Sequence, residues 1–448
     1  MKVRLSTAIA ASVALAGSLV VFTPSASAAV GIRVSGGRIL EANGNDFVMR
    51  GVNHPHTWFT TRTNAFADIK SLGANTVRVV LSSGDRWTRN NPSDVANVIS
   101  LCKTNRLICV LEVHDTTGYG EESAAVSLDR AVDYWLTLRS VLAGEENYVI
   151  INIGNEPYGN QGYSSWTTDT INAIRRLRSN GFQHAIMVDA PNWGQDWSFT
   201  MRDNAAAVFD ADPQKNTIFS IHMYGVFNTA AKVSDYLDHF RRARLPIVIG
   251  EFGHNHSDGD PDEDAIMAYA QTHGIGYLGW SWSGNSGGVE YLDMVDNFNV
   301  NQLTSWGQRI FNGPNGIKTT SREAAIFSGP PTSPSTPPTT PPTTTPPGGG
   351  GCTATYTITG QWPGGFQADV RVTAGSAPIR GWTVTWTFTN GQQVTHAWGA
   401  TISSSGATVT ARNASYNGSL GAGASTSFGF LGSWQGTNSV PAVTCTAS

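Results

Sequence analysis

The stretch Val149 to Tyr158 reads V-I-I-N-I-G-N-E-P-Y, an apolar run that stops abruptly at Asn155, Glu156 and Pro157. Such a run forms a buried strand, a setting in which an unpaired carboxylate is costly. Pro157 cannot join the ladder and closes the strand. Glu156 is therefore presented at a strand's C-terminal mouth with the Asn155 amide beside it. The pattern returns at Ile247 to Gly253, I-V-I-G-E-F-G, where a second apolar strand delivers Glu251. Two carboxylates at the ends of two buried strands can supply the acid/base and the nucleophile that cleavage of a glycosidic bond requires.

Those two strands belong to a longer series. Strand candidates begin near Phe47, Thr76, Ile108, Tyr148, Ala185, Ile218, Ile247 and Tyr277, with helical periodicity between them, as in Val126 to Leu142 and Ile171 to Leu177. The spacing is that of a βα unit, about 30 residues or more. Eight units predict a (β/α)8 barrel of the α/β class, with a doubly wound open sheet as the alternative. A small hairpin precedes them, marked by Ser35-Gly36-Gly37 and Asn43-Gly44. In such a barrel the C-terminal strand ends form the active face. Those ends read Asn53-His54, Arg78, His114-Asp115, Asn155-Glu156, His222-Met223-Tyr224, Glu251 and Trp280-Ser281-Trp282. A lone histidine there is more often a satisfied core group. Polar and aromatic groups at seven of the eight ends together mark a site.

The remaining sequence sets the domain organisation. A chain of 448 residues is too long for one ordinary core. A net charge of −4 with 14% charged residues excludes a nucleic-acid footprint. Residues 1–28 read as a signal peptide: Lys2 and Arg4, an apolar run from Ala8 to Phe22, and Ala26-Ser27-Ala28 as the cleavage site. That run is too short to span a bilayer. A secreted protein with no membrane anchor is expected. The barrel then occupies 29–328. Residues 329–351 are mostly Pro, Thr, Ser and Gly and form a linker. Residues 352–448 alternate at period two between Gly-rich turns, as in Ala368 to Thr373 and Trp382 to Phe388, and predict a β-sandwich. Of three possible connectivities for the four cysteines, the sequence favours Cys102–Cys109 with Cys352–Cys445, the second stapling the last unit. A zinc site would need closer spacing.

The set Arg78, His114, Asn155-Glu156-Pro157, His222-x-Tyr224, Glu251 and Trp280 resembles the active site of family 5 glycoside hydrolases, which are retaining (β/α)8 enzymes. The resemblance covers roughly Val30 to Phe327. It implies that Glu156 is the general acid/base and Glu251 the nucleophile. It further implies that Arg78 and Tyr224 hydrogen-bond the nucleophile and keep it ionised, and that His114 and His222 line the cleft. Asn155 would meet the sugar 2-hydroxyl and Trp280 would lie beneath that sugar. Trp282 competes for this last place, since alternation puts both indoles on one side. A retaining mechanism needs one carboxyl ionised and one protonated. Arg78 and Tyr224 should hold Glu251 low, and repulsion from Glu251 should let Glu156 keep its proton.

Within that family, Arg50-Gly51-Val52-Asn53-His54, Val188 to Trp197 and Leu278 to Asn285 resemble segments of the bacterial enzymes that cut β-1,4-mannan. Mannan is therefore the expected polysaccharide partner, with Trp58, Trp193 and Trp197 as sugar-stacking candidates. An endo-β-1,4-glucanase is the alternative. A non-catalytic polysaccharide-binding protein is a third reading, against which both intact glutamates argue. The acidic loop Asp258-Gly-Asp260-Pro-Asp262 is a candidate calcium site through oxygen ligands, although Asp262 also suits a helix N-cap. No other metal or cofactor is expected, and a monomer is.

The last unit resembles family 2 carbohydrate-binding modules at Cys352, Gln361-Trp362 to Phe366, Gly381-Trp382, Trp398, Tyr416-Asn-Gly418, Phe428-Gly-Phe430, Gly432-Ser-Trp434 and Cys445. The resemblance implies that Trp362, Trp398 and Trp434 form a flat face for a cellulose surface. Trp382 and Trp386 alternate on a strand and are assigned to the core.

Overall fold

The computed structural model describes residues 30–327 and 351–448, apart from Pro363, Ser415, Tyr416 and Gln435. The expected leader and nearly all of the expected linker lie outside the described residues, as does the Trp362 side chain. The chain divides into two compact units on either side of Pro331. Among the described residues no helix is long and apolar enough to cross a membrane.

The first unit begins with an antiparallel hairpin, β1 (Arg33–Ser35) and β2 (Arg38–Leu40). Eight parallel strands follow: β3 (Arg50–His54), β4 (Thr76–Leu81), β5 (Ile108–Val113), β6 (Val149–Asn152), β7 (Ile186–Asp189), β8 (Thr217–Met223), β9 (Ile247–Phe252) and β10 (Gly276–Gly279). They close into a barrel in which each strand pairs with its sequence neighbours and β10 returns to β3. All eight are buried along their whole length, which is why they read as near-continuous apolar runs. The strand starts lie within three residues of those read from the sequence, and the closed barrel excludes the open sheet.

Helices between the strands are set by local chemistry. Asn91 caps the helix Pro92–Thr104 through Asp94 N, with proline at its first position. Ser127, Thr229 and Thr304 cap later helices in the same way. Asp262 caps Glu263–His273, which ends at Gly274 in the left-handed region. Cys102, on the first of these helices, is disulfide-bonded to Cys109 on β5.

Two buried histidines make the barrel sensitive to acid. Neither ring nitrogen of His54 has a hydrogen-bond partner among the described residues, and His184 is as deeply buried. Burial pushes both down to about 3. A histidine whose folded pKa lies below its unfolded value leaves the folded state with fewer bound protons. Its stability contribution is complete above about pH 6.5 and is lost as the pH falls towards 3. The melting temperature is expected to drop between pH 7 and pH 4, and to drop less in His54→Leu.

The second unit is a sandwich of two four-stranded antiparallel sheets. Its strands are β11 (Cys352–Trp362), β12 (Gly365–Ala374), β13 (Trp382–Thr387), β14 (Gln393–Trp398), β15 (Ala400–Ser405), β16 (Thr408–Asn413), β17 (Ser425–Ser433) and β18 (Val443–Ala447). One sheet runs β11-β12-β17-β14 and the other β15-β16-β13-β18. The Cys352–Cys445 disulfide joins the two sheets. Trp382 and Trp386 are buried and stack on Phe428 and Phe430, so the core assignment holds.

Candidate active site

Glu251 sits within β9, and both of its oxygens receive hydrogen bonds. Arg78 Nη1 donates to Oε1 at 2.8 Å and the Tyr224 hydroxyl donates to Oε2 at 3.0 Å. Arg78 is fully buried and also donates to Asn53, Asn152, Asn155 and Asp189, which fixes its plane. Tyr224 stays a donor, because burial and then the Glu251 charge push its phenol well above the usual range. The expectation that Arg78 and Tyr224 hold Glu251 low needs correction. Burial dominates and lifts the carboxyl, against the pull of the His222 and Arg78 charges. The bonds still select the anion at Oε1, since a guanidinium offers only donors.

Glu156 follows β6, but the ladder stops at Asn152, earlier than the apolar run suggested. Asn155 N donates instead to Val113 O of β5. Glu156 and Tyr158 then adopt left-handed backbone, at φ +40° and +102°. Such conformations cost about 1–3 kcal/mol each and persist where surroundings hold them. His222 on β8 holds the side chain, with Nδ1 2.8 Å from Glu156 Oε1 and 3.6 Å from Glu251 Oε2. One donor atom from each of Glu156, His222 and Glu251 lies within 4.8 Å of the others. Burial alone would lower His222, but the charges of Glu251 and Asp189 raise it to about 10. The imidazole therefore favours its charged form and stands between the two glutamates. Gly194 makes room for it: a Cβ there would stand 2.6 Å from the ring.

Asn155 joins the same cluster through Arg78, and Trp280, Trp58 and Trp87 gather on His114. Asn155 accepts from Arg78 through Oδ1 and donates one Nδ2 hydrogen to Thr117, leaving its second for a ligand. His114 stacks on Trp280 at 5.6 Å and 20°. Strand β10 ends at Gly279, so alternation does not govern the next residues. Trp280 is half-buried and reaches His114, whereas Trp282 is fully buried against Phe311. Trp58, 37% exposed, meets the edges of His114 and Trp87. Trp193 is half-buried and donates to Glu121, while Trp197 is 47% exposed and donates to Asn160.

Four groups in this network escaped the sequence reading. Asp189 accepts from Arg78 and Asn152 and lies 3.3 Å from His222 Nε2. Although burial raises it, the Arg78 and His222 charges bring it down to about 2. It ends β7, the one barrel strand whose mouth supplied no candidate. Glu112 lies inside β5, where a charge within an apolar run was the available signal. Asn152 closes β6 within the segment already singled out. Trp87 lies in the loop after β4, on the active face. Asp258, Asp260 and Asp262 do not gather: Glu156, His222 and Glu251 form the only group of three such donors within 4.8 Å among the described residues. Asp258 instead binds His256 and Gln195, and Asp262 caps its helix.

In the second unit Trp398 is half-buried on β14 and pairs with Gly429. A Cβ at Gly429 would come within 2.5 Å of the Trp398 ring, so glycine lets the indole lie on the sheet. Trp434 is also half-buried, packs against the sandwich core and donates to Gly365 O at 3.0 Å.

The family description "Cellulase (glycosyl hydrolase family 5)" matches residues 40–286, and "Cellulose binding domain" matches residues 352–447. The chain is 63% identical over 304 residues to a mannan endo-1,4-beta-mannosidase of Streptomyces lividans, covering 68% of this chain and 79% of that one. It is 55% identical over 305 residues to a protein of the same description from Cellvibrio japonicus, covering 68% and 71%. A solved mannotriose complex of Thermomonospora fusca beta-mannanase is similar at 64% identity and a TM-score of 0.65, covering 67% of this chain and all of that one.

Proposed function

The chain belongs to glycosyl hydrolase family 5 and carries a cellulose binding domain, and on that premise we propose that it hydrolyses internal β-1,4-mannosidic bonds of mannan with retention, while its second unit attaches to cellulose. The observation that carries the chemistry is the approach of Glu156 and Glu251 to within 4.8 Å around His222. A retaining pair sits about 5–5.5 Å apart, whereas an inverting pair needs about 6.5–9.5 Å to admit a water. Glu251 attacks the anomeric carbon while Glu156 gives its proton to the departing oxygen. Glu156 then takes a proton from the water that releases the glycosyl ester. Negative charge passes from Glu251 to Glu156 and back, and His222 touches both positions, so the cation keeps a carboxylate partner in each half-reaction. Arg78 and Tyr224 aim Glu251, and Asn155 and His114 offer donors above the Trp280 face.

The mannan assignment is supported by relatives at 55–63% identity that bear that description. Secretion is supported by the leader at residues 1–28 and by two disulfides, which form in oxidising compartments. Mannans are laid down beside cellulose, and attachment raises the local concentration of the hydrolase. The test measures reducing-sugar release from soluble mannan and from carboxymethyl cellulose, with cellulose-powder binding in parallel. Release from mannan alone is expected. Trp398→Ala should lower powder binding severalfold and leave soluble-mannan hydrolysis unchanged. Release mainly from the cellulose derivative would make the enzyme an endoglucanase.

A further inference from the structure

We propose that Glu112 is a positioning residue for the proposed hydrolysis, holding His114 through Nδ1 so that Nε2 is the ring nitrogen left for the sugar at Trp280. Glu112 lies inside β5 among apolar neighbours and is completely buried. Its Oε1 accepts from His114 Nδ1 at 2.9 Å. Its Oε2 is buried with no hydrogen-bond partner among the described residues. The nearest other charge is Arg78 Nη1 at 3.8 Å, beyond hydrogen-bond reach. Arg78 already has two hydrogen-bonded carboxylates, Glu251 and Asp189. A half-satisfied carboxylate in a barrel interior is costly, and an apolar residue would serve the core better. Among the described residues the one side-chain hydrogen bond Glu112 makes is to His114.

That bond decides what His114 offers the cleft. With Nδ1–H committed to Glu112, the ring is fixed about its long axis, and Nε2 is the nitrogen left for substrate. The face of the ring stacks on Trp280, and its sides meet Trp58 at 5.3 Å and Trp87 at 5.6 Å. Among the described residues three charged groups act on it: Glu112 from β5, which His114 directly follows, Glu251 from β9 and Arg78 from β4. Burial and Arg78 lower its pKa, Glu112 and Glu251 raise it, and the raising side prevails. A cationic donor beside Trp280 would bind a sugar hydroxyl more strongly than a neutral one.

The experiment measures kcat/KM against pH on soluble mannan for wild type, Glu112→Gln, His114→Asn and the double variant. The amide preserves shape but removes the charge that sustains imidazolium. In Glu112→Gln, kcat/KM should fall by about 10-fold, the difference between a charge-assisted and a neutral hydrogen bond. Its decline with rising pH should also begin at a lower pH than in wild type, because burial of His114 is then no longer offset by the Glu112 charge. The double variant should be no worse than His114→Asn. An unchanged pH profile in Glu112→Gln, or losses that multiply in the double variant, would overturn the proposal. If Glu112→Gln does not fold, NMR titration of His114 in wild type decides: a midpoint above the ordinary value of about 6.5 supports the proposal and one at or below it overturns it. Wild type inactive on mannan would instead remove the functional reading on which this rests.

Discussion

Glu251→Gln is expected to lower kcat on mannan by at least about 10⁴-fold while leaving the fold intact. The amide can turn its oxygen to Arg78 and its NH2 to the Tyr224 oxygen, so both contacts of the carboxylate survive in neutral form. What it cannot do is form a covalent bond to the anomeric carbon. Glu156→Ala should behave differently. Loss of a general acid costs about 10²–10⁴-fold where the leaving oxygen needs a proton. An aryl mannoside leaves without that help, so its first step should be largely retained in Glu156→Ala and abolished in Glu251→Gln. Equal losses of the two variants on both substrates would mean that the roles are misassigned.

Arg78→Met should cost about 3–5 kcal/mol of folding stability in addition to activity. The guanidinium is wholly buried and hydrogen-bonds five residues at 2.7–2.9 Å. Removing it strands Asp189, a carboxylate its charge helps keep low, inside the barrel, and leaves Glu251 without its closest cation. Arg78→Lys keeps the charge but cannot reproduce the planar fork, so part of the stability should return and little of the activity. Urea unfolding of the three proteins, with kcat/KM alongside, separates the two effects. Wild-type stability in Arg78→Met would show that the network is not the support described here.

The barrel was legible because its strands are buried along both faces, so their apolar runs and their spacing were visible together. Glu156 and Glu251 were legible for the same reason: a carboxylate in such a run is conspicuous. Trp280 and Trp282 were not separable by alternation, because the strand ends before either. The charge balance was less legible still. Arg78 next to Glu251 implied a lowered carboxyl, but how deeply Glu251 is buried depends on elements far apart in the chain. Asp189 and Glu112 show the same limit: their partners Arg78 and His114 were recognised, yet only the closed barrel brings the second tier of carboxylates beneath them. In the second unit, the seating of Trp398 on its sheet depends on a cross-strand glycine, Gly429, that no local pattern announces.

The most direct test of the account is the anomeric configuration of the first product, followed by proton NMR during rapid hydrolysis of a β-1,4-manno-oligosaccharide by wild type. Two glutamates whose oxygens approach within 4.8 Å predict a covalent intermediate and retention, so the β-anomer should appear first and mutarotate afterwards. Initial appearance of the α-anomer would mean a single inverting displacement and would contradict the role given to Glu251.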